Sequence, residues 1–309
     1  MEVVVRELGR ALDDERYGPG YFGAGRDPYD RMGLSGYERY DRDTSNANAA
    51  AYVLWRFFPV PRALDVGCAT GFVVEALREL GIDAIGTDVS PYAIEHAALG
   101  ARGHLRYGDL LGRLPFRRGR FDVVSALETL EHVEPAAVPR ALAELRRVTR
   151  GYVVCTIPSF GPNEHGPGGW FDVKVRPERL DHYRSLGPSY EGPVPYEDLY
   201  RDASGEPIEG HLTIASFSWW TKQFAAVGLV RCGRTERLIH PHLARFGLTK
   251  YWNLYVLRVP GVPEPADGRR PAAAIADVER RFGLDGRVAA PEDLRAVAET
   301  IGSGSGAAL

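Results

Sequence analysis

From residue 46 to 58 apolar positions recur at helical spacing until Pro59 and Pro61 stop the pattern. Between Arg62 and Pro158 short apolar runs then alternate with amphipathic stretches. The runs predict strands over 63–66, 84–87, 104–107, 121–126 and 151–157, and the amphipathic stretches predict helices over 72–80, 91–99 and 136–148. Alternation of this kind builds a parallel sheet covered by helices on both faces, so the fold class is α/β. Further on, Ser218 is placed to cap a helix that runs through Ala226 and ends at Gly228, and strands over 229–238 and 251–259 complete the sheet.

Residues 158–215 lack this rhythm. Glycines and prolines punctuate Trp170, Phe171, Tyr183, Tyr190, Tyr196 and Tyr200, and a segment so long without a period reads as a substrate-recognition insert or lid. The first 45 residues, rich in Tyr, Gly, Asp and Arg, predict a short helix before Tyr17 and irregular structure after it. Past Pro260 come a linker, helices over 272–282 and 291–301, and a GSGSGAAL end. The organisation expected is a cap segment (1–45), a core domain (46–260) with its insert (158–215), and a helical tail (261–309).

Composition narrows the class without naming a chemistry. At 44% hydrophobic and 26% charged residues, the 309-residue chain has the make-up of an ordinary globular protein. No apolar run approaches the roughly 20 residues of a membrane span, and MEVVVRELGRALDDER mixes acids with bases, so a cytoplasmic location and no membrane partner are expected. The net charge of −3 offers no general attraction for phosphate backbones, despite local basic spots at RRGR (117–120) and between Arg140 and Arg150; nucleic acid is not the expected partner. Cys68, Cys155 and Cys232 show neither disulfide pairing nor CxxC spacing and read as reduced core thiols.

Chemistry enters at ALDVGCATGF, residues 63–72. A strand that runs into a small-residue turn and then a helix presents backbone N–H groups and a helix N-terminus, which suits a nucleotide or a carboxylate. Gly67 and Gly71 can take backbone angles closed to other residues, and at Gly67 a missing Cβ lets a ligand approach the chain. Asp88 closes the next strand, where a carboxylate can accept from two ribose hydroxyls; Asp109 follows the third strand and FDVVSALETLEHV ends the fourth. GCATG lacks the G-x-G-x-x-G spacing of a dinucleotide dehydrogenase.

Taken in order, LDVGCATG, GTDVSPYAI, GDLLGRLPF, FDVVSALETLEHV and YVVCTIPS resemble the class I S-adenosylmethionine-dependent methyltransferases, in particular the type 11 group that includes the ubiquinone O-methyltransferases. The resemblance implies a Rossmann-like seven-stranded sheet with an antiparallel last strand and the cofactor S-adenosylmethionine across the strands' carboxyl ends. It implies Asp65, Gly67 and Gly71 around the methionine moiety, Asp88 on the ribose hydroxyls, Asp109 on the adenine amino group with Leu110 beside the ring, and Ala126 and Leu127 near the methionine end, with Cys68 and Val89 as further cofactor-binding residues. Tyr37 and Tyr40 are expected to close over the cofactor carboxylate. Ala69 stands where the family usually has its middle glycine, and a slightly tighter turn with binding retained is expected.

A hydroxyl acceptor needs help in losing its proton, whereas an amine need only be neutral. On a helix starting at the fourth strand's end, Glu128, Glu131 and His132 would share a face. Similar ExxEH segments in ubiquinone-pathway O-methyltransferases and small-RNA 2′-O-methyltransferases imply a divalent metal, Mg²⁺ or another, that binds the substrate hydroxyls. The alternative is that Glu131 and His132 merely cap and pack the helix. His211, in EGHLTIASFSWW, is the candidate for a further ligand or, with His132, a catalytic base; His165 and His182 compete with it. Of Trp219 and Trp220 at most one can face the site. Aromatics interleaved with Asp, Glu and Arg suit a small-molecule or glycan acceptor. The expected function is O-methylation of a sugar, glycoconjugate or secondary metabolite; the alternatives are an N-methyltransferase for a peptide or RNA, and a cofactor-binding module without turnover.

Overall fold

In the computed structural model, residues 17–23, 39–166, 168–169, 174–186, 189–201, 205, 207–248 and 253–287 are described; Tyr37, Trp170, Phe171 and the segments predicted as helices before Tyr17 and over 291–301 lie outside them. The apolar runs form β1 (Arg62–Val66), β2 (Asp83–Asp88), β3 (Leu105–Tyr107), β4 (Phe121–Leu127) and β5 (Thr149–Thr156). With β8 (Val230–Arg231) and β9 (Leu254–Arg258) they make one sheet in the order β3-β2-β1-β4-β5-β9-β8, parallel throughout except for β9, which is antiparallel to both its neighbours. The expected α/β class and seven strands are therefore present. Among the described residues no helix is long and apolar enough to cross a membrane.

Helices cover both faces because their apolar stripes recur every three or four residues. On one side α1 (Ala47–Phe57) and α2 (Phe72–Glu79) bury Tyr52, Leu54, Phe57, Val74 and Leu77. On the other, α4 (Val138–Val148) buries Val138, Ala141, Leu142, Leu145 and Val148. Between these two, α3 (Pro91–Glu95) is shorter than the predicted 91–99 helix, and the chain tightens into a 3₁₀ turn at Leu99–Ala101. In the insert β6 (Ser159–Phe160) pairs with β7 (Ala215–Ser216), so its two ends close on each other. Between them lie α5 (Pro177–Leu186) and a small core of Phe160, Val175, Tyr183, Val194, Leu199 and Ile214.

Two further expectations are corrected. The cap of α6 (Phe217–Ala226) is Ser216, whose hydroxyl accepts from Trp219 N–H at 3.1 Å, rather than Ser218, which turns instead to Glu191. The predicted strand over 229–238 stops after β8, and Gly233–Ala244 is a helix, α7, burying Thr235, Glu236, Ile239, His240 and Leu243. Glu236 tolerates burial because the Arg231 guanidinium pairs with it at 2.8 Å and Val256 N–H donates to it at 2.9 Å. Beyond the sheet, α8 (Ala272–Arg281) docks on α1, with Val278 in the shared core and Glu279 accepting from Arg245 at 2.6 Å.

Candidate active site

Because β1, β2 and β3 are parallel neighbours, the acids at their ends gather along one edge of the sheet. The turn after β1 folds back, with Gly67 and Cys68 N–H groups both donating to Thr87 O, at 2.8 and 3.1 Å. Gly67 has φ +71°, and a Cβ there would stand 2.4 Å from Thr129 Oγ1. The missing side chain therefore accommodates Thr129, and Gly67 also lines the cavity described below. Ala69 occupies the left-handed region at φ +48° and donates its N–H to Asp88 Oδ2 at 2.7 Å, while Ser90 N–H donates to Oδ1 at 2.9 Å. Each Asp88 oxygen thus holds one backbone donor and retains acceptor capacity. Burial pushes the Asp88 carboxyl above its ordinary range, and those donors oppose the rise. Asp65 accepts from Ser125 Oγ at 2.7 Å, yet burial, reinforced by the Asp88 charge, pushes it up to about 7.

These groups edge a cavity of about 480 Å³. Tyr40, Asp65, Gly67, Cys68, Asp88 and Val89 line it, as do Asp109, Leu110, Leu127, Glu128 and His132. Gly71 and Ala126 do not: the Cα of Gly71 faces Ala101 and Leu105, where a Cβ would meet side chains at 2.9 Å, and Ala126 is fully buried opposite Cys155 in β5. Tyr17, Tyr21, Phe22, Asn46 and Leu212 line the cavity without having been singled out in the sequence. The first three arrive because Ser90 Oγ donates to Tyr17 O at 2.7 Å and Phe22 stacks on Tyr92 with ring centroids 5.8 Å apart; the clustered aromatics of YGPGYF were the available signal.

At the far side of the cavity, β4 is followed by Glu128 at φ +49°, and a 3₁₀ turn, Leu130–His132, replaces the expected helix. Convergence there depends on tertiary bonds. Glu131 O accepts from both Leu212 N–H (2.8 Å) and Thr213 N–H (2.9 Å), and Thr213 Oγ1 donates to Val133 O at 2.5 Å. His132 Nδ1 lies 3.1 Å from Gly210 O; a carbonyl only accepts, so the proton sits on Nδ1 and the lone pair on Nε2. The result is that Glu131, His132 and His211 each bring a ligand-type atom within 4.8 Å of the others.

Glu131 is wholly buried, and among the described residues no donor lies within hydrogen-bond distance of either of its oxygens, His211 Nε2 standing 4.0 Å from Oε1; Glu128 Oε1 and His211 Nδ1 likewise find no hydrogen-bond partner among those residues. Burial pushes both carboxyls up, and the Glu128 charge adds to the rise at Glu131. Burial, with His132 and Lys174 nearby, holds His211 well below the usual histidine range, hence neutral. Lys174, absent from the sequence reading, ion-pairs with Glu209, whose Oε2 is 3.6 Å from His211 Nε2. Burial brings Lys174 down to about 8, opposed by the charges of Glu128 and Glu131. The competing histidines stand elsewhere: His165 contacts Arg237 at 3.0 Å and His182 is exposed on α5. Trp220 is buried in the core and Trp219 packs against the same cluster; neither lines the cavity.

Residues 64–155 match the methyltransferase domain family, over the stretch that forms nearly all of β1 to β5 and carries the strand-end acids. The chain carries a class I S-adenosylmethionine-dependent methyltransferase domain. Curated relatives of that domain include the ubiquinone biosynthesis O-methyltransferase of Marinobacter nauticus, 36% identical over 104 residues (31% of this chain, 44% of the relative). The mitochondrial ubiquinone biosynthesis O-methyltransferase of Schizosaccharomyces pombe is 41% identical over 86 residues (25% and 30%). The chain thus spans less than half the length of these relatives. Among solved structures, the magnesium protoporphyrin IX methyltransferase of Synechocystis PCC 6803 with bound SAH aligns at TM-score 0.44 and 14% identity, covering 84% of this chain and 100% of its own. The CcbJ methyltransferase of Streptomyces caelestis aligns at TM-score 0.46 and 16% identity, covering 72% and 94%.

Proposed function

We propose that the chain is an S-adenosylmethionine-dependent O-methyltransferase acting in the cytoplasm on a hydroxyl of a small molecule or glycan, such as a sugar, glycoconjugate or secondary metabolite. The single observation that carries the O-directed reading is the buried, donorless Glu131 carboxyl grouped with two imidazoles beside the cavity. Such a set of one anionic oxygen and two neutral nitrogens fits a divalent cation, and a carboxylate left without a partner in a dry site would otherwise be costly.

The cofactor end is assigned on capacity and position. Asp88, with acceptor sites remaining on both oxygens, takes the ribose hydroxyls; Asp109 takes the adenine amino group with Leu110 against the ring; Asp65 and the 67–71 turn meet the methionine end, and Tyr40 closes over it. A cavity of about 480 Å³ is in the range that encloses a ligand of this size. Bound S-adenosylmethionine supplies an activated methyl and its own leaving group. The protein then has to orient the acceptor oxygen and accept or weaken its proton. Glu131, His132 and His211, with Glu128 beside them, would hold Mg²⁺ or another divalent ion, which lowers the pKa of a bound hydroxyl. His132 is also the imidazole that lines the cavity, and so the one placed to receive a proton.

Initial rates over a panel of hydroxylic and amine acceptors, with and without chelator, test this reading. The expected result is transfer to hydroxyls that chelation suppresses and Mg²⁺ or Mn²⁺ restores, with Glu131→Ala as slow as the chelated enzyme and cofactor affinity unchanged. Full activity in chelator rejects the metal, and transfer to amines alone rejects the O-directed assignment.

A further inference from the structure

We infer that Lys174 sets the affinity of the Glu131–His132–His211 cluster for divalent cations, acting as a resident positive charge that competes for the same carboxylates. The inference rests on the metal reading proposed above. Lys174 reaches the cluster from the insert: its carbonyl accepts from Tyr200 N–H at 3.0 Å, its side chain is only 13% exposed, and its ammonium pairs with Glu209. Glu209 Oε2 in turn stands 3.6 Å from His211 Nε2, which puts the ammonium one residue away from the cluster, where its charge favours the ionised forms of Glu128 and Glu131. A protonated lysine has three donors and no lone pair, so it cannot be a ligand; it can only lend its charge.

That charge decides how strongly the site attracts an ion. Ligation requires Glu128 and Glu131 to ionise against the upward push of burial; with those two and Glu209 ionised, Lys174 protonated and both imidazoles neutral, the group carries a formal charge of −2, which one divalent ion neutralises. Without Lys174 the charge is −3 and the carboxylates face the ion alone. Coulomb interactions in a water-poor pocket are strong enough for one unit of charge to matter more than any change of packing. Lys174 does not line the cofactor cavity, so its removal should leave the cofactor half undisturbed.

The test is calorimetric titration of the metal-stripped full chain with Mn²⁺ and with Mg²⁺, alongside S-adenosylmethionine titration and a thermal melt. Lys174→Gln should bind the ions at least tenfold more tightly than wild type, about 1.4 kcal/mol, with cofactor affinity within twofold. Lys174→Arg, which keeps the charge, should stay within threefold of wild type. Equal or weaker ion binding in Lys174→Gln, against measurable binding in wild type, overturns the role of Lys174 and leaves the metal reading standing. No ion binding by either protein at millimolar concentration overturns both. Should Lys174→Gln fail to melt cooperatively, Lys174→Arg decides: tighter binding than wild type overturns the inference, and unchanged binding upholds it.

Discussion

Asp65→Asn should make the cofactor-free protein more stable, and only above acidic pH. Asp65 sits at 3% exposure near the end of β1, and its one hydrogen-bonding side-chain partner is the Ser125 hydroxyl, at 2.7 Å. An asparagine carbonyl can accept that same bond, so the substitution removes the charge and little else. Burial raises the Asp65 pKa to about 7 from an ordinary 3.8. At 1.36 kcal/mol per pKa unit, the gap corresponds to a cost of about 4 kcal/mol for ionised Asp65 at pH 8. Relaxation and water entry reduce it, and an effect of about 2–4 kcal/mol is expected.

The direction follows from proton binding. The folded state binds the extra proton between the unfolded and folded pKa values, so the wild type has its full stability below about pH 4. It loses stability as pH climbs toward 7 and changes no further above that, as far as this group is concerned. Asp65→Asn escapes the loss. At about 2 °C per kcal/mol for a chain of this size, the variant should melt roughly 4–8 °C above wild type at pH 8 and within about 2 °C at pH 4.5. Differential scanning calorimetry at the two pH values reads this directly. Adding S-adenosylmethionine should reverse the order at pH 8, because the methionine ammonium supplies the partner that the Asp65 charge lacks. A gap of the same size at both pH values, or a variant less stable at pH 8 without cofactor, would refute the reasoning.

Asp88→Ala should weaken cofactor binding at least tenfold by calorimetry, since two charge-assisted hydrogen bonds of about 1.5–3 kcal/mol each are lost; unchanged affinity would remove Asp88 from the ribose. Ala69→Gly should raise stability by about 1 kcal/mol in a denaturant titration with cofactor affinity retained, because the turn places an alanine at φ +48°. A less stable variant would show that the Ala69 methyl is needed. Gly67→Ala should cost about 2–4 kcal/mol, part from φ +71° and part from the 2.4 Å approach to Thr129 Oγ1. Thr129→Ala in the same chain should recover only the steric part, and a double variant no better than Gly67→Ala would mean that Thr129 is not the obstacle.

The cofactor half of the site was legible in the sequence because its geometry is local. Asp65 and Asp88 stand at the carboxyl ends of β1 and β2 and Asp109 just past β3, and neighbouring parallel strands put such positions along one edge whatever the loops between them do. The acceptor half was legible only in its letters. Glu128, Glu131 and His132 have helical spacing, but Glu128 takes φ +49° and a 3₁₀ turn follows, so it is the backbone bonds from Leu212 and Thr213, some 80 residues later, that set their arrangement. Lys174 gave no signal, since a lysine in a Gly- and Pro-rich stretch looks like any solvated charge. The helix α7 lacks a readable apolar period for a related reason. Its buried face includes Thr235, Glu236 and His240, so the apolar period was broken by polar residues that the fold satisfies through Arg231 and Val256.

That division has a consequence for what the relatives can say about the acceptor. The family match ends at residue 155, whereas Lys174, Glu209, His211 and the Leu212–Thr213 bonds all lie beyond it, and Tyr17, Tyr21 and Phe22 lie before it. On the reading proposed above, part of the wall nearest the reacting methyl would therefore be built by residues outside the family match. The insert is joined to the sheet by the β6–β7 pairing and by bonds to the Glu131 carbonyl, and neither attachment uses a cofactor-lining side chain of β1 or β2. An insert attached in this way can change its contents without moving Asp65 or Asp88. Glu128, Glu131 and His132 lie within 64–155, so that stretch bears on the acceptor end proposed above as well as on the methyl donor, whereas Lys174, His211, Tyr17, Tyr21 and Phe22 come from outside it.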